Sequence, residues 1–156
     1  MEKAVTLRRG TPDDAPRVTV LARRLVAFGP PPWRDPEAMI RADQRRLRAA
    51  LRSTGADPII LVATVDDEVV GFIHLHSLKD QYRPTRHGHV SDVVVAEGFE
   101  GRGIGRRLLA AAEDWAHGLQ FDWLTISVFA TNHRAADIYE AAGFGRDILR
   151  LVKPLR

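Results

Sequence analysis

The sequence predicts an α+β fold with one central sheet that is mostly antiparallel, contains one parallel strand pair and is flanked by helices. The first supporting observation is a hairpin, since apolar runs over 59–65 and 69–76 flank a polar turn at 66–68. The second is a strand–helix–strand succession over 88–129, which predicts a right-handed parallel crossover. With 156 residues, we expect 1–156 to be a single domain.

The chain before the hairpin predicts one strand and two helices. Residues 5–9 alternate in polarity, as an edge strand does. Thr11 and Pro12 form a helix start, and the run of glycine and prolines at 29–32 ends that helix. A second helix begins in the same way at Asp35.

The chain after the hairpin alternates strands and helices. The strand over 88–95 leads into a helix that begins at Gly103, and the apolar residues of 122–129 predict the next strand. Asn132 is the predicted N-cap of the last helix. A return strand over 144–153 is expected to complete the sheet.

Composition excludes several classes of protein. There is no cysteine, so disulfides and thiolate chemistry are excluded and a reducing compartment is suitable. No apolar run is long enough to cross a membrane, and the N-terminus lacks the apolar core of a signal peptide, so we expect a cytoplasmic protein. A net charge of +3 is too small for a dedicated nucleic-acid binder.

The most informative stretch joins a strand, a glycine turn and a helix. Such a turn directs several backbone N–H groups at one point, and the N-terminus of the helix adds partial positive charge. It is therefore a candidate binding site for a phosphate or pyrophosphate. The stretch consists of Val93, Val94 and Val95, the alternating glycines Gly101, Gly103 and Gly105, and the apolar helix positions Ile104, Leu108, Ala111 and Trp115.

Two common glycine motifs do not fit this stretch. A P-loop needs Gly-Lys-Ser/Thr at its end, whereas Ile104 and Gly105 follow Gly103. The dinucleotide fingerprint needs a third glycine three residues after the second, where Arg106 or Leu108 stands instead.

Two blocks of sequence resemble the GNAT superfamily of acetyl-CoA-dependent N-acetyltransferases. Residues 100–105, Glu-Gly-Arg-Gly-Ile-Gly, resemble its pyrophosphate loop Gln/Arg-x-x-Gly-x-Gly/Ala, with Glu100 departing at the first position. Residues 132–144 match its pattern Asn-x-x-Ala-x-x-x-Tyr-x-x-x-Gly-Phe at every fixed position. The order of predicted elements agrees along essentially the whole chain.

The resemblance implies acetyl-CoA as co-substrate, with no metal. Arg107 lies in the same helical turn as the implied pyrophosphate contacts and is a further candidate for anion contact. The valines would offer strand backbone to the pantetheine arm, between two strands that splay apart. The implied cofactor-binding residues are Val93, Val94, Val95, Gly101, Arg102, Gly103, Ile104, Gly105, Arg106, Asn132 and Tyr139.

Acetylation of an amine requires a base, because a free alkyl ammonium has a pKa near ~10. His89 is the leading candidate, on the strand face that alternation shares with Ser91, Val93 and Val95. Asp92, His87 and water are alternatives. Tyr139 resembles the family's general acid, and its ordinary pKa near ~10 suits a hydrogen bond to sulfur as well as proton transfer.

Three further possibilities stay open. His74 and His76 share a strand face, but no third ligand stands at metal-site spacing, so we expect them to line a cleft or support the fold. A non-catalytic acyl-CoA sensor would need the glycine turn for binding but would not depend on Tyr139 or His89. An arginine stripe on the second helix suggests an RNA or acidic protein partner, although a solvated face is the simpler interpretation. The stripe comprises Arg41, Arg45, Arg48 and Arg52.

The acceptor carries no motif of its own. We expect a small-molecule or peptide amine attacked directly by acetyl transfer, and we leave a homodimer open.

Overall fold

A computed structural model describes residues 2–156, so Met1 of the predicted domain lies outside the described residues. Its five strands form one sheet in the order β1-β2-β3-β4-β5. The first three pairings are antiparallel and the last is parallel, which confirms the predicted mixed sheet. The strands are β1 Thr6–Arg9, β2 Ile59–Val65, β3 Glu68–Lys79, β4 Arg86–Val95 and β5 Leu124–Ile126.

Four α-helices flank this sheet. The predicted first helix is broken, since short 3-10 turns at Pro12–Asp14 and Ala22–Val26 enclose its α-helical part. Within residues 2–156, no helix is both long and apolar enough to cross a membrane. The helices are α1 Ala15–Leu21, α2 Pro36–Leu51, α3 Ile104–Gly118 and α4 His133–Ala141.

The core lies on both faces of the sheet. Helices α1 and α2 pack on one face, and α3 packs on the other. Gly71 of β3 faces α3, because a Cβ atom there would lie 3.5 Å from Ile104 and 3.6 Å from Leu108. Phe72, the next residue, points to the opposite face and is fully buried. We call these the α2 face and the α3 face.

A β-bulge at Ser91 changes the expected face of the valines. His74 pairs with Asp92 and Leu75 pairs with Val90, which leaves Ser91 as the extra residue of β4. After the bulge, the alternation of side chains is reversed. The prediction that His89 shares a face with Val93 and Val95 is therefore wrong, because the hydrogen-bond register inserts one residue between them.

The positions of the valines follow from their neighbours. Val93 pairs with Ile73 on the α3 face, and Val95 lies beside Gly105 of α3. His89 pairs with His76 on the α2 face. Asp92 lies on the same face as His89, paired with His74.

Two strand predictions differ from the structure in the last third of the chain. The strand predicted over 122–129 forms only at Leu124–Ile126, because its parallel partner diverges beyond that point. The return strand predicted over 144–153 is not formed. Residues 144–156 have no regular secondary structure, because a strand needs a hydrogen-bonded neighbour and this segment pairs with no strand of residues 2–143.

Alanine at Gly88 is expected to destabilise the fold by roughly 1–3 kcal/mol, because overpacking a filled site forces its neighbours apart. A Cβ atom there would lie 2.9 Å from Trp115 and 3.0 Å from Leu124. Urea unfolding measures the change. Gly55→Ala is the matched control, since nothing lies within 4 Å of its Cβ position. Equal stability of both variants would refute this packing argument.

Candidate active site

The glycine turn between β4 and α3 adopts a left-handed backbone at three positions. Gly98, Gly101 and Gly103 have φ of +85°, +76° and +77°, a region that residues with a Cβ atom rarely enter. Gly103 is the N-cap of α3. The first amide to bond back into the helix is that of Arg107, which donates to the Gly103 carbonyl. The N–H groups of residues 104–106 therefore precede the helical ladder and remain available to an anion.

The arginines around the turn point in different directions. Arg102 lies over the Phe99 ring, 5.0 Å from its centroid. Arg106 is exposed beside a cleft of about 240 Å³ between α3 and α4, which Leu109 and Ile138 also line. Arg107 points away, since its guanidinium donates a 2.7 Å hydrogen bond to the Val5 carbonyl. Of these three, only Arg102 and Arg106 keep their guanidinium groups near the turn.

Glu100, which departs from the family pattern, forms ion pairs with two arginines outside the turn. Arg24 donates to one carboxylate oxygen at 2.6 Å, and Arg134 of α4 lies 3.4 Å from the other. The three groups together carry one net positive charge, so the carboxylate does not make the turn negative. Sequence analysis did not identify Arg24 or Arg134, because 76 and 34 residues separate them from Glu100.

A gap opens between β4 and β5 next to the turn. Their pairing ends at Val90 and Ile126, whereas β4 continues to Val95. The backbone edge of residues 91–95 therefore faces no strand on that side. This gap includes the three valines predicted to contact the pantetheine arm.

Helix α4 lies beside α3, across the cleft that Arg106 and Ile138 line. Asn132 caps it, accepting a 3.3 Å hydrogen bond from the Ala135 amide. Burial, and then the charge of Asp92, raises the pKa of Tyr139 to about 12. The Tyr139 hydroxyl makes no hydrogen bond to any residue of 2–156. It is therefore a protonated and uncommitted donor at physiological pH.

His89 has a defined hydrogen-bond partner. Its Nδ1 lies 2.8 Å from the Thr125 hydroxyl, which in turn lies 3.4 Å from the Gly88 carbonyl. A hydroxyl that donates to this carbonyl accepts from Nδ1–H, so the network assigns the free lone pair to Nε2. Burial, and then the neighbouring His76 and His87, lowers the pKa of His89 to about 4. The ring is neutral above about pH 5.

A buried polar cluster lies beside His89 on the α2 face. His74 Nδ1 and Asp92 Oδ2 are 3.1 Å apart, and both side chains are buried. Asp43 of α2 joins them, and burial together with the charge of Asp92 raises its pKa. Arg46 pairs with Asp43 and lies 3.4 Å from the Ser91 hydroxyl. Two carboxylates with one arginine can accommodate a cationic ligand.

Sequence analysis missed Asp43, although a signal was present. Ile40, Asp43, Leu47 and Ala50 follow the spacing of one helix face, and the three apolar members are buried. A carboxylate on a core-facing position is unusual, because burying its charge is unfavourable without partners. That position could have identified Asp43 as a functional candidate.

An open cleft of about 530 Å³ continues from this cluster along α2. His74 and His76 line it, as expected for cleft residues, and the His76 and His89 rings are 5.3 Å apart. Asp57, Ser77 and Arg86 form its polar wall. Residues 2–156 contain no group of three His, Asp or Glu side chains placed to hold a metal ion.

The arginine stripe of α2 lies apart from this cleft. All four side chains are exposed, which agrees with a solvated helix face. The stripe is Arg41, Arg45, Arg48 and Arg52.

Together, a turn with free amides at the head of a gap between two parallel strands forms a candidate site for an extended, phosphate-bearing ligand. Residues 22–144 match the model of the family described as "Acetyltransferase (GNAT) family". The chain belongs to this family, as the two sequence blocks predicted.

Two uncharacterised N-acetyltransferases of Bacillus subtilis (strain 168) are similar in sequence. YhfO is 30% identical over 91 residues, covering 58% of this chain and 61% of YhfO. YycN is 28% identical over 79 residues, covering 51% of this chain and 49% of YycN. The match thus spans about half to three fifths of these relatives' lengths.

Solved structures share the fold. Aminoglycoside N-acetyltransferase AAC(6')-Iy, in complex with CoA, superposes with a TM-score of 0.75 at 16% identity, over 100% of this chain and 97% of that one. A ribosomal-protein-alanine N-acetyltransferase from Brucella melitensis biovar Abortus 2308 gives 0.73 at 21% identity, over 97% and 100%.

Proposed function

We propose that this protein transfers an acetyl group from acetyl-CoA to a primary amine, by direct attack within a ternary complex. The observation that carries the proposal is the left-handed glycine turn, whose free amides point out beside the unpaired edge of β4. Family membership supports the choice of acetyl-CoA as donor. The absence of cysteine excludes a cysteine thioester intermediate.

The donor would extend from the turn along the gap. The pyrophosphate would accept hydrogen bonds from the amides of residues 104–106, with Arg102 and Arg106 adding charge. The pantetheine amides would pair with the free backbone edge at 93–95, in place of a strand. This path leads towards the Ser91 bulge, where the cluster on the α2 face begins.

The acceptor amine would enter from the α2 face. Asp43 and Asp92 would attract it as an ammonium ion, which would lose one proton to solvent before its nitrogen attacks. His89 Nε2 would accept the second proton once nitrogen has bonded to the acyl carbon. Nitrogen is more acidic at that stage than in the free ammonium ion, so a weak base suffices. The low pKa of His89 keeps its lone pair available throughout the neutral range.

Tyr139 would stabilise the departing sulfur. With a pKa of about 12, it is a weaker acid than a thiol, whose pKa is near ~8.5. A complete proton transfer to the thiolate is therefore unfavourable. Its role is a hydrogen bond that strengthens as negative charge develops on sulfur.

Thiol release from acetyl-CoA in the presence of an amine panel tests the function. The panel contains aminoglycosides, peptides with free N-termini, lysine and polyamines. We expect at least one amine to release thiol in stoichiometric proportion to acetylated product. Tight binding of acetyl-CoA with no turnover across the panel would instead support the sensor alternative. That alternative also predicts that substitutions at Tyr139 or His89 leave the affinity for acetyl-CoA unchanged.

His89→Gln is expected to lower kcat at least about 100-fold with the best amine, because base catalysis contributes about 10²-fold or more. In the unmodified protein, His89 stays neutral between pH 5 and 8, so activity there should rise only with deprotonation of the amine, and a loss due to His89 should begin only as pH falls towards its pKa of about 4. His117→Gln, at the exposed end of α3, is the matched control. An unchanged kcat would transfer the role to Asp92, His87 or water.

A further inference from the structure

Three histidine rings lie in a row on the α2 face, two from β3 and one from β4. The centroids of the His74 and His76 rings are 5.5 Å apart, and those of the His76 and His89 rings are 5.3 Å apart. In each ring, Nδ1 faces a hydrogen-bond partner within the protein, whereas Nε2 makes no hydrogen bond to residues 2–156. Nε2 is therefore the nitrogen that each ring can offer to a ligand.

Two of the three partners fix the tautomer of their histidine, because they can only accept a hydrogen. A carboxylate oxygen of Asp92 lies 3.1 Å from Nδ1 of His74, and the Ser77 carbonyl oxygen lies 3.2 Å from Nδ1 of His76. Both of these Nδ1 atoms therefore carry hydrogen. The third partner is a hydroxyl, which can either donate or accept, so a further contact must decide the tautomer of His89.

That hydroxyl belongs to Thr125, and it lies between His89 and a backbone carbonyl. Its oxygen is 2.8 Å from His89 Nδ1 and 3.4 Å from the Gly88 carbonyl oxygen. A hydroxyl has one hydrogen, and the carbonyl can only accept it, so a hydroxyl that donates to Gly88 accepts from Nδ1–H of His89. The strand register brings these groups together, because Thr125 of β5 pairs with His89 of β4. The lone pair of His89 is then on Nε2.

The contact lies directly beside the gap between the two strands. β4 and β5 separate after the next pair, Val90 and Ile126, and the proposed path of the pantetheine arm begins there. His87, the other histidine of β4, lacks a comparable partner, since its buried Nδ1 makes no hydrogen bond to any residue of 2–156. Of these two candidate bases, His89 is the one whose tautomer is determined by its contacts.

We propose that Thr125 is a positioning residue, which holds His89 in the Nδ1–H tautomer and so directs the Nε2 lone pair at the acceptor amine. This inference rests on the proposed function, in which His89 is the base. In the other neutral tautomer, Nε2 would carry hydrogen and could not accept a proton from the amine. The direction of one hydroxyl thus decides whether the neutral ring can act as a base.

The tautomer can be measured without any turnover. Long-range proton–nitrogen NMR spectra of the ¹⁵N-labelled protein at neutral pH distinguish the imidazole nitrogen that carries hydrogen from the one that does not, and the His89→Gln variant identifies the signals. We expect Nδ1–H in the unmodified protein and in Thr125→Ser. The isosteric Thr125→Val should shift the ring towards Nε2–H, because an N–H that faces a methyl group loses its hydrogen bond, whereas Nε2–H can donate to water. Nε2–H in the unmodified protein, or an unchanged tautomer in Thr125→Val, would overturn the proposal.

Steady-state kinetics with the best amine of the panel supply the second measurement. Thr125→Val should lower kcat about 10-fold or more, but no more than His89→Gln does, because a positioning residue cannot contribute more than the base it positions. The KM for acetyl-CoA should change little, and Thr125→Ser should stay close to the unmodified protein. Thr64→Val, at a buried threonine of β2, is the matched control and should alter neither kcat nor the tautomer.

The two measurements separate this inference from the proposed function. A shifted tautomer with unchanged kcat in Thr125→Val would overturn the positioning role, although acetyl transfer itself would stand. If no amine is acetylated, the proposed function fails, and the NMR spectra alone decide whether Thr125 sets the tautomer of His89.

Discussion

Gly103→Val is expected to raise the Kd for acetyl-CoA at least about 100-fold, equivalent to about 2.8 kcal/mol. Valine at φ of +77° is strained, because a β-branched side chain clashes with its own backbone in the left-handed region. The backbone would leave that region and turn the amides of residues 104–106 away from their common focus. Its side chain would also occupy the space in front of them.

Isothermal titration with acetyl-CoA measures this loss. Gly55→Val is the matched control, since that position has neither a positive φ nor a neighbour within 4 Å. Urea unfolding of each variant separates lost binding from lost folding. Unchanged affinity in a folded Gly103→Val protein would mean that the turn does not hold the pyrophosphate.

Tyr139→Phe is expected to lower kcat about 100-fold while the KM for acetyl-CoA changes little. The hydroxyl would act only as charge develops on sulfur, and removing one such donor costs about 10²–10³ in kcat. Phenylalanine keeps the ring packing against Phe144, whose centroid lies 6.3 Å away. Steady-state kinetics with the best acceptor of the panel measures both constants.

The dependence of kcat on pH tests whether the Tyr139 hydroxyl stays protonated, as its proposed hydrogen bond to sulfur requires. With a pKa of about 12, the hydroxyl stays protonated up to pH 10, so it should cause no fall in kcat between pH 7 and 10. Tyr82→Phe, on an exposed loop, is the control and should leave kcat unchanged. A fall in kcat above pH 8 that disappears in Tyr139→Phe would contradict the raised pKa, and equal kcat would remove Tyr139 from the mechanism.

Local patterns were sufficient to predict most of the fold and the glycine turn before α3. The hairpin of β2 and β3 follows from alternation around a polar turn. The turn before α3 follows from glycine spacing, because left-handed backbone selects glycine. Asn132 was predicted as an N-cap and is one.

Features that depend on register or on distant partners could not be predicted from local patterns. The bulge at Ser91 leaves no periodicity signal, yet it moves Val93 and Val95 to the face opposite His89. Glu100 depends on Arg24 and Arg134, which only the fold brings near. Residues 144–153 have the apolar pattern of a strand, but a local pattern does not show whether a neighbouring strand is present to pair with them.

The central claim is that the amides of the glycine turn bind the pyrophosphate of acetyl-CoA. Titration calorimetry of the unmodified protein with acetyl-CoA, and separately with acetyl-pantetheine, which lacks the nucleotide and its phosphates, tests it most directly. We predict saturable binding of acetyl-CoA at one site per chain, at least about 100-fold tighter than that of acetyl-pantetheine. Equal affinity for the two compounds, or no binding of acetyl-CoA at millimolar concentration, would contradict the claim.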